Sequence, residues 1–386
     1  MAGIYIHVPF CNTFCIYCGF YSEVKKGMQD EYVKKIIQEI SESTIIINPS
    51  TLYIGGGTPS VLTKRQLLDI KRAVDLKYPG AELQEFTIEI NPDDVSRELC
   101  ETMKAMHVSR VSMGVQSFHD KHLKWMRRRH SASEAKSSYK LLRENGFNNI
   151  SMDLIFGYEG LSIEEWSEDI DTMLELRPEH ISAYQMSIEE DSGLGKLYAK
   201  GRYKEPGDEF CARQYSLLQE KLKEAGYIQY EVSNFCLPGY KSKHNSSYWE
   251  REPYLGFGPA AHSFIGYKRF WNKASLKNYV RVDNFIDKEN LSKIRGEEVL
   301  TNAAIYEEYI MLGLRKIEGL SLELLKSAKD SEGNNLILPE TFENTLNSLV
   351  EKGEIIKTFD KKENVTKIRI PSRYMFISDG IISLLI

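Results

Sequence analysis

Three cysteines stand close together near the N-terminus, in the stretch Cys11-Asn-Thr-Phe-Cys15-Ile-Tyr-Cys18. Their thiols can converge on one inorganic centre. Zinc would need a fourth protein ligand, and no nearby His or Cys completes a tetrahedral set. A cubane iron–sulfur cluster takes one thiolate per iron, so three cysteines leave one iron open. A chelating, anionic small molecule, such as an amino acid's carboxylate and amine, suits that open iron. Disulfides would leave one thiol unpaired and close strained rings. The expected chemistry is therefore a [4Fe-4S] cluster on Cys11, Cys15 and Cys18.

Other residues carry weaker signals. Gly55-Gly56-Gly57-Thr58 follows a short apolar run, and glycine lets backbone approach a ligand closely or adopt positive φ. A tight turn would use the same residues. Glu89 and Asp153 each sit between apolar residues of an expected strand, where an unpartnered carboxylate is costly to bury. A ligand is expected to meet them. From Tyr230 to Phe264 the chain is rich in aromatics around His244-Asn245-Ser246-Ser247-Tyr248-Trp249 and His262. A histidine in such a setting can ligate heme with rings stacked about it, although most simply hydrogen-bond. His7 has a structural reading as good as any functional one. Cys100, Cys211 and Cys236 read as small buried hydrophobes.

The elements that must position these groups repeat every thirty residues or so. Apolar runs at Ile4–Val8, Thr51–Ile54, Phe86–Ile90, Arg110–Val115, Asn149–Phe156 and His180–Met186 read as strands. Helical patterns lie between them, at Asp30–Ile47, after Thr63, at Ser96–Met106, across His119–Gly146 and from Ser162 to Leu176. Strand-then-helix units imply a parallel sheet, either a partial barrel or a doubly wound open sheet. Glu89, Gln116, Asp153 and Ser187 fall at or beyond the C-terminal ends of successive strands, where barrels gather functional groups. That favours the barrel. Beyond Glu205 come a helix at Asp208–Gly226, a loop-rich aromatic stretch to Trp271, helices near Asn302–Leu314 and Phe342–Lys352, and two closing strands.

Cys-x3-Cys-x2-Cys resembles the signature of the radical S-adenosylmethionine (radical SAM) superfamily. The context Tyr5-Ile6-His7-Val8-Pro9-Phe10-Cys11 and Cys18-Gly19-Phe20 resembles the branch holding oxygen-independent coproporphyrinogen III oxidase and the HemW-type heme chaperones. The oxidase carries a further Cys two positions after the third ligand. Here that position is Phe20, as in the chaperones. His-Asn-x-x-Tyr-Trp resembles the chaperones' heme-binding motif, which makes His244 the heme ligand and His262 a second candidate. The resemblance implies an α/β fold: a partial (β/α)6 radical SAM barrel over 1–204, an aromatic-rich extension over 205–296 and a small winged-helix-like module over 297–386. It also implies SAM, with Gly57 and Thr58 at its methionine part and Tyr17 near the adenine. Tyr5, Glu89, Gln116, Arg128 and Asp153 match further SAM contacts. Arg128 lies in the run Arg127-Arg128-Arg129-His130, which otherwise reads as a solvated helix end.

The implied activity is that of a heme chaperone, which binds heme or a related porphyrin and hands it to a recipient apo-hemoprotein, with a low-potential electron donor for the cluster. Two enzymes share the same features: the oxidase, which decarboxylates propionate side chains in porphyrin biosynthesis, and a radical SAM heme-degrading methyltransferase. The expected start, a few residues before strand one, leaves no N-terminal segment to enclose an oxidase substrate.

Composition is consistent with this. The 386 residues are 42% hydrophobic and 27% charged, in the range of ordinary soluble proteins. A net charge of −5 leaves no electrostatic footprint for nucleic acid. There is no secretory signal pattern and no run approaching the ~20 apolar residues of a membrane span. Six cysteines, three of them clustered, suit a reducing cytoplasm.

Overall fold

The computed structural model describes residues 2–24 and 27–386. The first half contains β1 (Ala2–Val8), α1 (Gln29–Glu42), β2 (Pro49–Gly56), α2 (Lys64–Lys77), β3 (Glu85–Ile90) and α3 (Arg97–Ala105). It continues with β4 (Arg110–Gln116), α4 (Asp120–Trp125), α5 (Ala132–Glu144), β5 (Ile150–Phe156), α6 (Ile163–Leu176) and β6 (His180–Gln185). The middle contains α7 (Gly193–Tyr198), α8 (Asp208–Glu224), β7 (Ile228–Gln229), β8 (Asn234–Cys236), α9 (Lys243–Trp249), β9 (Tyr254–Phe257), β10 (His262–Ile265) and β11 (Lys268–Asn272). Then come α10 (Leu276–Tyr279), α11 (Lys288–Ile294), β12 (Arg295–Val299), α12 (Asn302–Leu314), β13 (Leu320–Ser321) and α13 (Leu322–Ser327). The chain closes with α14 (Phe342–Glu351), β14 (Ile356–Asp360), β15 (Val365–Arg369) and α15 (Ser378–Ser383).

Strands β1 to β6 lie side by side, parallel and in chain order. A doubly wound sheet reverses its order at a switch point. This one does not, so every crossover winds the same way, as in a barrel. Closure fails because β9 pairs parallel with the free side of β1 and β8 pairs antiparallel with β6. Strands β10, β11 and β12 extend the sheet antiparallel beyond β9. The expected partial barrel is the fold observed.

Strand alternation divides the barrel into an apolar outside and a polar inside. Ile4, Ile6, Leu52, Ile54, Phe86, Ile88, Val111, Met113, Met152 and Leu154 are fully buried in the hydrophobic core. The alternate positions carry Tyr5, His7, Tyr53, Glu89, Arg110, Ser112, Asp153 and Ser182. A polar interior costs solvation energy, so this is a chamber built to hold something other than side-chain packing.

Three expectations need correction. The first helix stops at Glu42 instead of Ile47, because the β-branched run Ile45-Ile46-Ile47 and the following pre-proline position disfavour helix. The helical span His119–Gly146 is broken into α4 and α5 by Arg127, with φ 60, and a new capping box at Ser131 and Glu134. The stretch read as loop-rich up to Trp271 contains α9 and five strands. Near the C-terminus, β13, β14 and β15 form a separate antiparallel sheet in the order β13-β15-β14. The boundary expected between 296 and 297 falls inside β12, which pairs with β11.

Candidate cofactor site

The inward faces of the strands and the loops above them enclose a cavity of about 570 Å3. Cys11, Cys15, Cys18, Tyr17, Gly57, Thr58, Glu89, Gln116, Arg128 and Asp153 all line it. The cysteine loop leaves the C-terminal end of β1 and is fastened there. Cys11 N donates to Glu23 O (3.1 Å), Ile16 N to Met126 O (3.2 Å), and Leu194 N to Ile16 O (2.6 Å).

The three thiols are half-buried. Among the described residues no three His, Cys, Asp or Glu side chains are grouped for a single metal ion, yet the cysteines share one cavity wall. Arg128 Nη1 donates to Cys15 Sγ at 3.3 Å, and Thr58 Oγ1 lies 3.5 Å from Cys11 Sγ. Burial pushes the Cys18 thiol up to about 11, so a thiolate there needs a cation beside it. The donor set and its surroundings fit the cluster.

The glycine run crosses the base of this loop. Gly57 N donates to Val8 O at 2.8 Å and Thr58 N to Phe10 O at 2.7 Å. A Cβ on Gly57 would lie 2.6 Å from Phe10 O, and one on Gly56, whose φ is +110, would lie 2.5 Å from His7 Nδ1. The protein's own backbone and His7 thus already require glycine here, while both residues still face the cavity.

Glu89 Oε1 accepts from Tyr53 OH at 2.6 Å and Oε2 from Gly56 N at 3.1 Å. Its depth in the barrel raises its pKa to about 7, against these two hydrogen bonds. Asp153 is raised to about 6 by the same cause, with a hydrogen bond from Ser182 and the charges of Arg110 and Arg128 opposing, and its Oδ1 has no hydrogen-bond partner. Both carboxyls therefore titrate near neutrality, and Asp153 Oδ1 stands open to a donor. Gln116 sits at a bulge between β4 and β5 with φ 74. The α4–α5 break turns Arg128 inward: its Nη2 donates to Asn91 Oδ1 and Gly114 O, both at 2.6 Å. The basic run is not simply a solvated helix end at this residue.

Tyr5 and His244 lie outside the cavity lining. Tyr5 OH donates to His7 Nδ1 (3.0 Å), because His7 Nε2 gives its proton to Tyr21 O (2.8 Å). Burial lowers His7 to about 4, so it is a neutral, buried brace for the cysteine loop. His244 lies on α9, which plugs the barrel at the N-terminal ends of the strands. Glu85 on β3 accepts from the backbone N of Lys243 (2.8 Å) and His244 (2.9 Å). The His244 ring bonds Thr51 Oγ1 through Nδ1 and Tyr248 OH through Nε2, each at 2.8 Å. Its neighbour Asn245 faces the cavity. His262 is exposed on β10 and stacks on Trp271.

Sequence reasoning missed Tyr53, Asn91, Arg110 and Asn245, which also line the cavity. For Tyr53 and Arg110 the period-two alternation with Thr51 and Ser112 was the available signal. Asn245 belongs to the His-Asn-x-x-Tyr-Trp stretch, of which only His244 reads as a ligand, and Asn91 has no signal beyond adjacency to the strand that carries Glu89.

Comparison with known proteins agrees with this geometry. The Radical SAM superfamily model matches residues 5–173. The heme chaperone HemW of Bacillus subtilis (strain 168) is 36% identical over 360 residues, covering 92% of this chain and 93% of that protein. HemW of Lactococcus lactis is 36% identical over 320 residues, 83% of each chain. Coproporphyrinogen III oxidase (HemN) of Escherichia coli superposes with a TM-score of 0.77 at 21% identity, covering 100% of this chain and 89% of that one; that likeness concerns the fold. The cofactors of the superfamily, a [4Fe-4S] cluster and SAM, come with it. This chain belongs to the HemW family of the radical SAM superfamily.

Proposed function

We propose that the chain is a heme chaperone: it binds heme, keeps it chemically unchanged and passes it to an apo-hemoprotein. The observation that carries this is the single chamber joining the cysteine loop to α9, through Asn245 of the His-Asn-x-x-Tyr-Trp stretch. HemW relatives named as heme chaperones, covering most of both chains, support it.

In this reading Cys11, Cys15 and Cys18 hold the cluster. When bound, the cluster supplies low-potential electron transfer and an open iron for SAM. Arg128 offsets the thiolate charge, Gly57 and Thr58 bound the amino acid part of SAM, and Tyr17 packs beside it. Tyr5 acts indirectly, by hydrogen-bonding Nδ1 of His7, the brace of the cysteine loop. Glu89, Gln116 and Asp153 bond SAM's polar atoms. Burial and the charge of Arg110 lower His244 to about 3, which keeps its imidazole in the neutral form that ligates iron. For that role its Nε2 exchanges the Tyr248 hydrogen bond for the heme iron. A low-potential donor would reduce the cluster. Residues 1–204 form the cofactor chamber and 205–296 return α9 to its floor. From 297 on, the order α12-β13-α13-α14-β14-β15 is that of a winged-helix-like unit. Glu308 fastens it by ion pairs to Arg251 (2.9 Å) and Arg269 (2.6 Å).

The test is anaerobic incubation of the reconstituted protein with SAM, a reductant and either heme or coproporphyrinogen, followed by mass analysis. Heme recovered intact and transferable to an apo-hemoprotein is expected. Decarboxylated coproporphyrinogen at catalytic turnover would select the oxidase activity instead, and methylated or ring-opened heme the degrading methyltransferase.

A further inference from the structure

Arg110 opens β4 at the end of the barrel opposite the cysteine loop. It is 1% exposed, faces the chamber, and its Nε and Nη1 have no hydrogen-bond partner. A guanidinium deep in a protein is normally paired, since an uncompensated buried charge is strongly destabilising. Its neighbours do not pair it. His180 is neutral, held by Ser151 Oγ and Tyr230 OH, each at 2.7 Å. Glu89 and Asp153 feel its charge, but neither bonds those two nitrogens. Asp153 Oδ1, on the next strand, is also unpartnered. A buried cation and a buried acceptor thus stand open on one wall.

The planar donors of a guanidinium match a carboxylate. SAM's carboxylate would be taken by the open iron of the cluster that Cys11, Cys15 and Cys18 would hold at the rim. Arg110 lies at the opposite end of β4 from Gln116 and two residues below Ser112, which is level with Glu89, so it sits beneath the carboxylates expected to meet SAM. A carboxylate reaching it belongs to a second, deeper ligand. We propose that Arg110 is a carboxylate-recognition residue on the chamber floor, taking a propionate of the tetrapyrrole. This rests on the heme-chaperone reading and adds to it the part of the cargo that is recognised.

The test is a Soret titration of the cluster-loaded protein with iron mesoporphyrin, as the free diacid and as its dimethyl ester. The native protein should prefer the diacid by about tenfold or more, the cost of one lost charge-assisted hydrogen bond. Arg110→Gln should bind both forms alike, Arg110→Lys should keep part of the preference, and SAM should still perturb the reduced cluster's EPR spectrum in both. Should Arg110→Gln not fold, as judged by circular dichroism and cluster absorbance, the native preference and the Lys variant decide. Equal native binding of diacid and diester would overturn the assignment of Arg110 while leaving the chaperone reading intact. Loss of the SAM response in Arg110→Gln with the preference retained would overturn it too, by assigning the carboxylate to SAM. Binding of neither porphyrin would overturn both readings.

Discussion

The ring of Tyr53 stacks on His244, with centroids 5.0 Å apart at 28°, while its hydroxyl donates to Glu89 at 2.6 Å. One side chain on β2 thus joins the helix that plugs the floor to the carboxylate near the rim. Thr51, two residues earlier on the same face, holds the other side of the His244 ring. The sites expected for SAM and heme share a strand and a contact.

That contact has a consequence for pH. The Tyr53 hydroxyl stabilises ionised Glu89 and so opposes the rise in its pKa. Tyr53→Phe keeps the stacking ring and removes the hydroxyl, so the Glu89 pKa should climb above about 7. SAM binding near neutral pH should weaken by about tenfold, and its pH midpoint should move upward. EPR titrations with SAM at several pH values measure this. An unmoved midpoint would show that Glu89 does not act through its ionised form.

Arg128 lies beside Cys15, so its charge should favour the reduced, more negative cluster. Arg128→Gln should assemble about four irons per chain but show a more negative midpoint potential. Cys11→Ala, Cys15→Ala and Cys18→Ala should each lose the visible cluster band, and buried Cys100→Ala should keep it. Redox titration of the band tests both statements. A potential that stays put or rises in Arg128→Gln would contradict the role given to that cation.

Glu89 also sets a stability trend. Its folded pKa lies at about 7 against an ordinary 4.5, so the folded state binds its proton more tightly. The stability this gives is fully present below about 4.5 and is lost as pH rises through about 7. Glu89→Gln is neutral throughout. Between about pH 5 and pH 8 the cofactor-free variant should therefore lose less stability than the native protein, by on the order of 1–3 kcal/mol. Other titrating groups cancel in the comparison. Equal losses of unfolding free energy in the two proteins between the two pH values, measured by urea unfolding, would rule the effect out.

Much of this arrangement is legible in the sequence. Six alternating runs with helices between them specify β1 to β6, and the cysteine spacing specifies its own chemistry. What escapes reading is non-local. β1 pairs with β9 across the length of the barrel unit, and Tyr254-Leu-Gly-Phe257 is too short to announce a strand. Arg128 reads as a solvated charge until the positive φ of Arg127 breaks the helix and turns it inward. Arg110 reads as the polar first residue of a strand, and only curvature into a barrel encloses it. The environment of His244 is set by Thr51 and Glu85, far away in sequence, so the aromatic motif alone suggests a ligand without showing its hydrogen bonds.

Those hydrogen bonds separate two roles for His244. Both ring nitrogens are bonded, so as a pure plug the residue contributes stability alone, whereas as a heme ligand it must release Tyr248 and keep Thr51. Thr51→Val removes the hydroxyl that orients the ring but leaves the imidazole free to reach iron. His244→Ala removes the ring itself. Each should cost on the order of 1–4 kcal/mol of stability, the alanine more because it also leaves a cavity. Their heme spectra should differ. Thr51→Val should retain a histidine-type Soret shift with weakened affinity, because the neutral ring loses its orienting partner, and His244→Ala should lose the shift. Tyr248→Phe, which frees Nε2, should take up heme faster than the native protein. If His244→Ala binds heme with an unchanged spectrum, the iron has another ligand and α9 serves only to close the floor.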